Sequence, residues 1–520
     1  MKKIFSYRLL LCMSLLILIS CEDYLDKQPY DQISASTFWK TKEDFDMAVT
    51  SNYGLLQSPN APWDNPMGGM WSFLYPNWDN LTDNSFGQHS YGNSKAIVMG
   101  DINPLTGGYI SGAYISCYQG IVRSNIFLEK LDNYEGSDIS EKDRKLYEAE
   151  IRFFRAFYYF QLYFLYGDVP LVTEPLTLEN QEQPKVTADK IFEQIISDLD
   201  YAIANLNAVP YYNNSGHVVK STAQAFKARA LIYKAYDEEG NPDKNILSQV
   251  KQLCIEIMPL YSLSPAFENL FQNSGQRNNP EIIFSINFLA PDNVPPYGVD
   301  LLYGDWLVVS PLQNFINTFE CIDGLPWGVS PLTDADNPFK NRDPRLNKTV
   351  FVNYVDWGNG KVHYPTNDRP TGYGLKKFLE PNNIPYGYAT LSEQNVVLIR
   401  LAEVLLMYAE AQNELLDSPD ESVYNALNNI RARVDMPPLP DGLSKELMRE
   451  KIRHERRVEL AFESGLRYYD LKRWRIAGEV LNNVTDGLLN YHWEDKFYHW
   501  PLPQEEIEKN HGTLVQNSDY

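Results

Sequence analysis

Cysteine is scarce in this 520-residue chain, with five in all. Cys12 and Cys21 sit near the start, and Cys117, Cys254 and Cys321 are scattered. Such a set gives no disulfide framework and no zinc-ligand spacing. Basic charge is short too: 46 Lys and Arg stand against 68 Asp and Glu, a formal net charge of −22. That balance argues against nucleic acid, or an anionic membrane face, as a partner. The seven histidines are dispersed. No His-Glu-x-x-His occurs, since in "RHERRVEL" Val458 stands where the second histidine would be. Nucleophile elbow, Walker loop and dinucleotide-binding glycine fingerprint are all missing. The sequence marks no catalytic residue, no metal ligand and no cofactor. Nothing singles out two acids as a glycosidase pair, so a hydrolase is the weakest reading. After residue 20 no apolar run is long enough to span a bilayer.

The start of the chain is different. Lys2, Lys3 and Arg8 precede an apolar run from Leu9 to Ile19, broken only by Ser14. The run is too short for a membrane helix and fits the core of a secretory signal. It ends in Leu18-Ile19-Ser20-Cys21, which resembles a bacterial lipobox, so residues 1–20 are expected to be removed and Cys21 lipidated. Loss of three basic residues would take the net charge to −25.

Aromatics are abundant, at 13% with 35 Tyr and 10 Trp, more than a core needs. In "LYEAEIRFFRAFYYFQLYFLYGDVP" apolar residues recur at Leu146, Ala149, Phe153, Ala156, Phe160 and Tyr163, the steps of one helix face. Phe154, Phe157 and Phe164 fall on its other faces, so this helix is expected to be buried nearly all round. Asp189 to Leu206 and "STAQAFKARALIYKAY" predict two more helices. "VVLIRLAEVLLMYAEAQNEL", "SVYNALNNIRARV", "SKELMREKIRHERRVELAFES" and "RYYDLKRWRIAGEVL" predict four near the C-terminus. Alanines beside bulky aromatics suggest close packing in tetratricopeptide-like pairs, without a clean textual repeat. The 259–385 stretch holds 15 of 32 prolines, so long helices are excluded there. The expected fold is all-α: a tetratricopeptide-like helix-pair scaffold, mainly 115–250 and 395–482, with irregular excursions at 57–113 and 259–390. Long loops on a rigid frame are where function tends to lie.

Charged residues crowd Glu446 to Arg475, with Glu463 and Arg467 at i,i+4 spacing. An ion-pair lattice between helices is favoured there over an anion site. The loop aromatics point elsewhere. "WDNPMGGMWSFLYPNWDNLTDNSF" places Trp71 and Trp78 beside Asp79, Asn80 and Asp83. Tyr303, Asp305 and Trp306 follow in the second excursion, and then Trp327. Six of the ten tryptophans lie in 63–78 or 306–357. Aromatic planes stack on the C–H faces of sugars while Asp and Asn bond hydroxyls. These nine residues are therefore the candidate glycan platform. The competing reading is that the tryptophans pin loops to the frame.

The chain resembles the SusD/RagB family of outer-membrane lipoproteins. The resemblance rests on "CEDYLDKQP", "EIRFFRAFYYFQLYFLYGDVPLVTEP", "TAQAFKARALIY", "NPEIIFSI", "NRDPRL", "RLAEVLLMYAEAQNE", "ERRVELAFESGLRYYDLKRW", "WPLPQEEI" and "LVQNSDY", in that order. Two departures are visible: Ser464 separates Glu463 from Gly465, and Ser518-Asp519 replace the family's Pro-Gly. The resemblance implies a binding protein rather than an enzyme, anchored by lipid in the outer membrane and exposed at the cell surface. It would capture a glycan and lid a SusC-like TonB-dependent transporter. A peptide or glycopeptide is the alternative cargo. Glu22 and Asp23 would mark the lipoprotein for export. The shared motifs are scaffold and do not map the ligand site.

Overall fold

The computed structural model describes residues 38–57, 76–214, 216–295, 298–486 and 488–520. The signal segment, Cys21 and Trp71 lie outside them. The main helices are α1 (Lys42–Gln57), α2 (Tyr109–Asp132), α3 (Glu141–Tyr166), α4 (Ala188–Asn205), α5 (Lys220–Lys234) and α6 (Lys244–Ile257). After a long excursion come α7 (Leu401–Leu415), α8 (Glu421–Ala432), α9 (Lys445–Glu459) and α10 (Leu466–Arg473). Each of α2 to α6 packs against the next, α6 packs against α7, and α7 against α8 and α9. This stack of neighbouring helix pairs is the expected all-α scaffold.

Helix α3 is its axis. Ser140 caps it, its Oγ accepting from the Asp143 N–H at 3.1 Å, and Gly167 at φ +73° ends it. Phe153, Phe154, Tyr158, Tyr159 and Leu165 are fully buried, so the helix is wrapped on all sides as its pattern predicts. Most of helix α2 falls within the scaffold expected from residue 115, though its Gly and Ser blur the helical period. Its Gly120 explains the composition: a Cβ there would stand 2.3 Å from the Tyr158 ring. The missing side chain lets α2 lie directly on the aromatic face of α3.

The excursion leaves after α6 and returns before α7 through a strand pair. Strand β1 (Ile282–Ile286) pairs antiparallel with β2 (Val396–Arg400), and every residue of both is buried. The helix expected from Val396 therefore starts only at Leu401. Val396, Val397 and Ile399 are β-branched and pair with "IIFSI" instead. Between 258 and 395 the helical pieces run three to six residues, as the prolines require.

Beneath the excursion lies a buried ionic lattice. Arg400 donates to Glu281 at 2.8 Å, to Glu459 at 2.6 Å and to Glu463 at 2.7 Å. Arg345, from "NRDPRL", pairs with Asp343 at 2.7 Å, Glu455 at 2.5 Å and Glu459 at 2.9 Å. Arg433 joins Glu281 and Glu459, and Lys377 reaches Glu463 at 2.5 Å. The charges of α9 thus bind distant segments. Glu463 and Arg467 do not pair with each other: the backbone turns at Phe462, Ser464 and Gly465, all at positive φ, so no helix carries the i,i+4 spacing. Burial alone would raise the Glu459 carboxyl, but Arg433, Arg400 and Arg345 outweigh it and hold it well below the usual range.

Candidate functional site

The 76–84 segment turns inward. Trp78 is fully buried, stacked on Trp500 at 5.4 Å and packed against Tyr109, Tyr468 and Tyr469. Its faces are covered, so it offers no plane to a sugar. Asp83 is clamped by Arg457 and Arg467 at 2.9 Å each. Burial pushes its carboxyl up, but the two guanidiniums outweigh that and hold it at about 2. Asp79 accepts from the Phe462 N–H at 2.8 Å and from Asn84 Nδ2 at 3.0 Å. Both donors use Oδ2; among the described residues Oδ1 has no hydrogen-bond partner, and burial pushes this carboxyl up to about 6. Asn80 donates to the Val308 carbonyl at 3.1 Å and accepts from Ser85 at 2.9 Å. Trp78, Asp79 and Asp83 fasten the first excursion to the α9–α10 region, and Asn80 ties it to the second excursion. The pinning reading holds for Trp78, and Asp79, Asn80 and Asp83 are bonded internally.

The second excursion is organised around buried Asp300. It accepts from the Glu380 N–H at 2.8 Å, Asn383 at 2.7 Å, Ser392 at 2.8 Å and Gln394 at 2.9 Å. These bonds hold the 300–306 turn against the 380–395 segment. Gly304 lets Tyr386 close on that turn, since a Cβ there would meet the ring at 2.5 Å. Tyr303 is fully buried, its hydroxyl donating to Asn77 Oδ1 at 3.1 Å. It too is lost as a stacking plane. Asp305, 7% exposed, accepts from the Thr366 N–H at 2.9 Å and its hydroxyl at 3.0 Å.

Trp306 keeps part of its surface. Its ring meets Tyr388 edge-on at 5.5 Å, and Tyr388 is 81% exposed. Tyr354 and Tyr364, at 44% and 67% exposure, form a second pair 5.3 Å apart. Trp306–Tyr388 and Tyr354–Tyr364 are thus two surface-reaching aromatic pairs on the second excursion. Trp327 is half-buried on another loop, with the Arg342 guanidinium 4.4 Å over its ring. The structure keeps Trp306 and Trp327 at the surface and buries the other described candidates.

The same 380–395 segment forms one wall of a cleft of about 870 Å3. Asn273, Gln276, Arg277 and Asn278 come from the run ahead of β1, Asn287 and Phe288 from just after it, Glu393 and Asn395 from before β2, and Tyr211 and Tyr212 from the α4–α5 connection. Part of the amide set is consumed in shaping the cleft. Gln276 donates to the Asn395 carbonyl at 2.7 Å and accepts from its N–H at 2.8 Å. Asn287 donates to the Tyr211 hydroxyl at 3.1 Å. Asn395 Oδ1 accepts from the Phe288 N–H at 2.9 Å, and Glu393 accepts from the Ala290 N–H at 2.8 Å. The exposed side chains of Asn213, Arg277 and Asn278 are what the lining still offers to solvent. Tyr212 is half-exposed, its ring braced edge-on by Tyr261 at 5.9 Å. Amides donate and accept, as hydroxyls do, and Tyr212 adds a flat face. The volume is that of a small-molecule site. Sequence reasoning missed this cleft. The one local signal was "NSGQRNN", an amide-rich run beside the apolar "IIFSI".

Two family models match the chain: the SusD family over residues 268–520, and a family described as starch-binding and associating with the outer membrane over residues 23–232. A SusD-like protein of Formosa agariphila is 27% identical across 96% of both chains. A crystal structure of a SusD-like protein from Bacteroides fragilis superposes with a TM-score of 0.77 at 25% identity, covering 95% of this chain and all of that one. A SusD-like carbohydrate-binding protein from the same species gives 0.76 at 26% identity, over 92% and 99%. Together with the stacked helix pairs and their excursions, these matches show that the chain belongs to the SusD/RagB family.

Proposed function

We propose that this protein captures a glycan without cleaving it, in the amide-lined cleft between Tyr212 and Glu393 and on the outer aromatic surface around Trp306 and Tyr388. The observation that carries the reading is the cleft: about 870 Å3, shaped by paired amides and bearing the exposed side chains of Asn213, Arg277 and Asn278. The carbohydrate-binding relative supports it. Lipidation at Cys21, exposure at the cell surface and delivery to a SusC-like TonB-dependent transporter complete the reading. The match to an outer-membrane-associating family supports them.

Calorimetry against a panel of neutral oligosaccharides (malto-, cello-, laminari-, xylo- and manno-) tests the proposal. At least one should bind, and Trp306→Ala should weaken it without unfolding the protein. Failure of every glycan, with binding of a short peptide instead, would reject the sugar. One observation favours that second reading: Arg277 and Glu393 place opposite charges in one cleft, a match for the two termini of a peptide.

A further inference from the structure

Buried cations in this protein are matched by acids. Arg155 has Asp198, Arg229 has Glu403, Arg456 has Asp470, Arg473 has Glu410, and Lys377 has Glu463. Arg342 lacks an acid but donates to three carbonyls, those of Ile316, Phe319 and Pro338. Lys472 has no acid among the described residues and less carbonyl compensation than Arg342. It is 3% exposed, and among the described residues its ammonium has one acceptor, the Phe164 carbonyl at 3.2 Å. An ammonium carries three donors, and a buried charge without a counterion is costly. The rings of Phe164 and Tyr468, 4.8 and 5.3 Å away, give only partial compensation. Burial, with Arg475 nearby, drives the Lys472 pKa well below the lysine range.

Lys472 opens on a cavity of about 310 Å3 at the end of α3 and α5, on the helical frame and lined by none of the cleft's residues. Arg475 lines it as well. Its guanidinium lies 4.2 Å over the Tyr498 ring and has no ion pair among the described residues. The backbone holds Arg475 at φ +57°, an unusual conformation for a side chain of this size. Lys234, paired with Asp189 at 2.6 Å, and His499 also line it; burial, with Lys472 and Arg475 nearby, lowers the His499 imidazole to about 4, so it adds a neutral polar edge. Two acids reach the rim. Asp237 is occupied by its own turn, accepting from the Asn241 N–H at 2.7 Å, and Glu238 is exposed. Tyr163, Tyr236 and Tyr498 add flat walls. In a chain of net charge −22, a cavity walled by a buried amine and a guanidinium, neither with a carboxylate partner among the described residues, stands out.

We propose that this cavity is an anion site, taking a monosaccharide-sized molecule that bears a carboxylate or a sulfate group between Lys472 and Arg475. The aromatic walls suit a sugar ring, and the volume exceeds what a bare ion fills. The proposal stands apart from the cleft and does not need the cleft to bind glycan.

Titration calorimetry of the full mature chain with glucuronate, galacturonate, glucose 6-sulfate, glucose and inorganic sulfate tests it. The expected result is binding of at least one acidic sugar and none of glucose. Arg475→Gln and Lys472→Met should each weaken that binding at least tenfold, while Tyr212→Ala and Trp306→Ala leave it unchanged. Lys472→Met is close in shape and removes the unpaired charge, so it should melt no lower than the parent and keep the test interpretable. Binding of inorganic sulfate as tight as that of the sugars would mean an adventitious ion only and overturn the proposal. So would no binding of any anion, or binding that both substitutions leave intact. Loss of acidic-sugar binding in Tyr212→Ala alone would assign it to the cleft and also overturn the proposal.

Discussion

The lattice beneath the excursion and the cleft within it are both polar, and they spend their polarity in opposite ways. Around Arg400 nearly every strong donor is matched: Glu281, Glu459 and Glu463 converge on one guanidinium, and among the described residues of the lattice Arg433 Nε is left without an acceptor. Around Asn273 and Arg277 the groups are neutral amides or singly charged; some are bonded to each other and to backbone, and Asn213, Arg277 and Asn278 are exposed. Saturated charge gives a rigid, specific frame; unsaturated amides give a surface that can exchange water for hydroxyls. Polar density alone therefore does not mark a ligand site. What marks it is polar capacity left over after folding.

The largest expected effect breaks the saturated side. Arg400→Ala leaves three buried carboxylates short of a counterion and should destabilise by about 3–5 kcal/mol in urea unfolding. A loss under 1 kcal/mol would mean the lattice is not tightly coupled. Asp79→Asn probes the same frame through pH. Its folded pKa of about 6 exceeds the ordinary 3.8, so the acid's contribution is fully present below about pH 4 and is lost as pH rises through 6. Asparagine keeps an acceptor for Phe462 and Asn84, and should gain roughly 2–3 kcal/mol over the parent at pH 8 and nothing at pH 4. An equal effect at both pH values would contradict the raised pKa. Asp83, held at about 2, runs the other way: its contribution is present above the ordinary 3.8 and fades as pH falls toward 2.

On the unsaturated side, Tyr212→Ala should leave unfolding within about 1 kcal/mol of the parent, because the ring is half-exposed. Affinity for the bound glycan should fall about tenfold, roughly 1.4 kcal/mol. Unchanged affinity would remove Tyr212 from the site. The smallest effect sharpens the frame alone: Ser140→Ala removes the α3 cap and should cost about 1 kcal/mol with no change in glycan affinity.

The frame was largely legible in the sequence. The 3–4 spacing from Leu146 to Tyr163 reports a physical period, and α3 follows it. Helix α2 was placed only coarsely: it starts at Tyr109, ahead of the expected 115, and Gly120, which weakens its propensity, is explained by Tyr158 across the interface. "VVLIR" misled for a related reason: its β-branched residues find a strand partner more than a hundred positions away. The site was read least well. Trp78 beside Asp79 and Asp83 looks the same on paper whether it faces a sugar or the core. The deciding partners, Arg457, Arg467 and Trp500, are over 370 positions distant in sequence. The cleft is drawn from four separate segments with no linear motif.

Hydrogen–deuterium exchange with and without a saturating oligosaccharide tests the central contrast most directly. The account predicts added protection at 211–213, 273–289 and 388–395, with α3 and α9 unchanged because their polar groups are already spent. Protection confined to the helical frame, with the cleft segments exchanging as before, would contradict it.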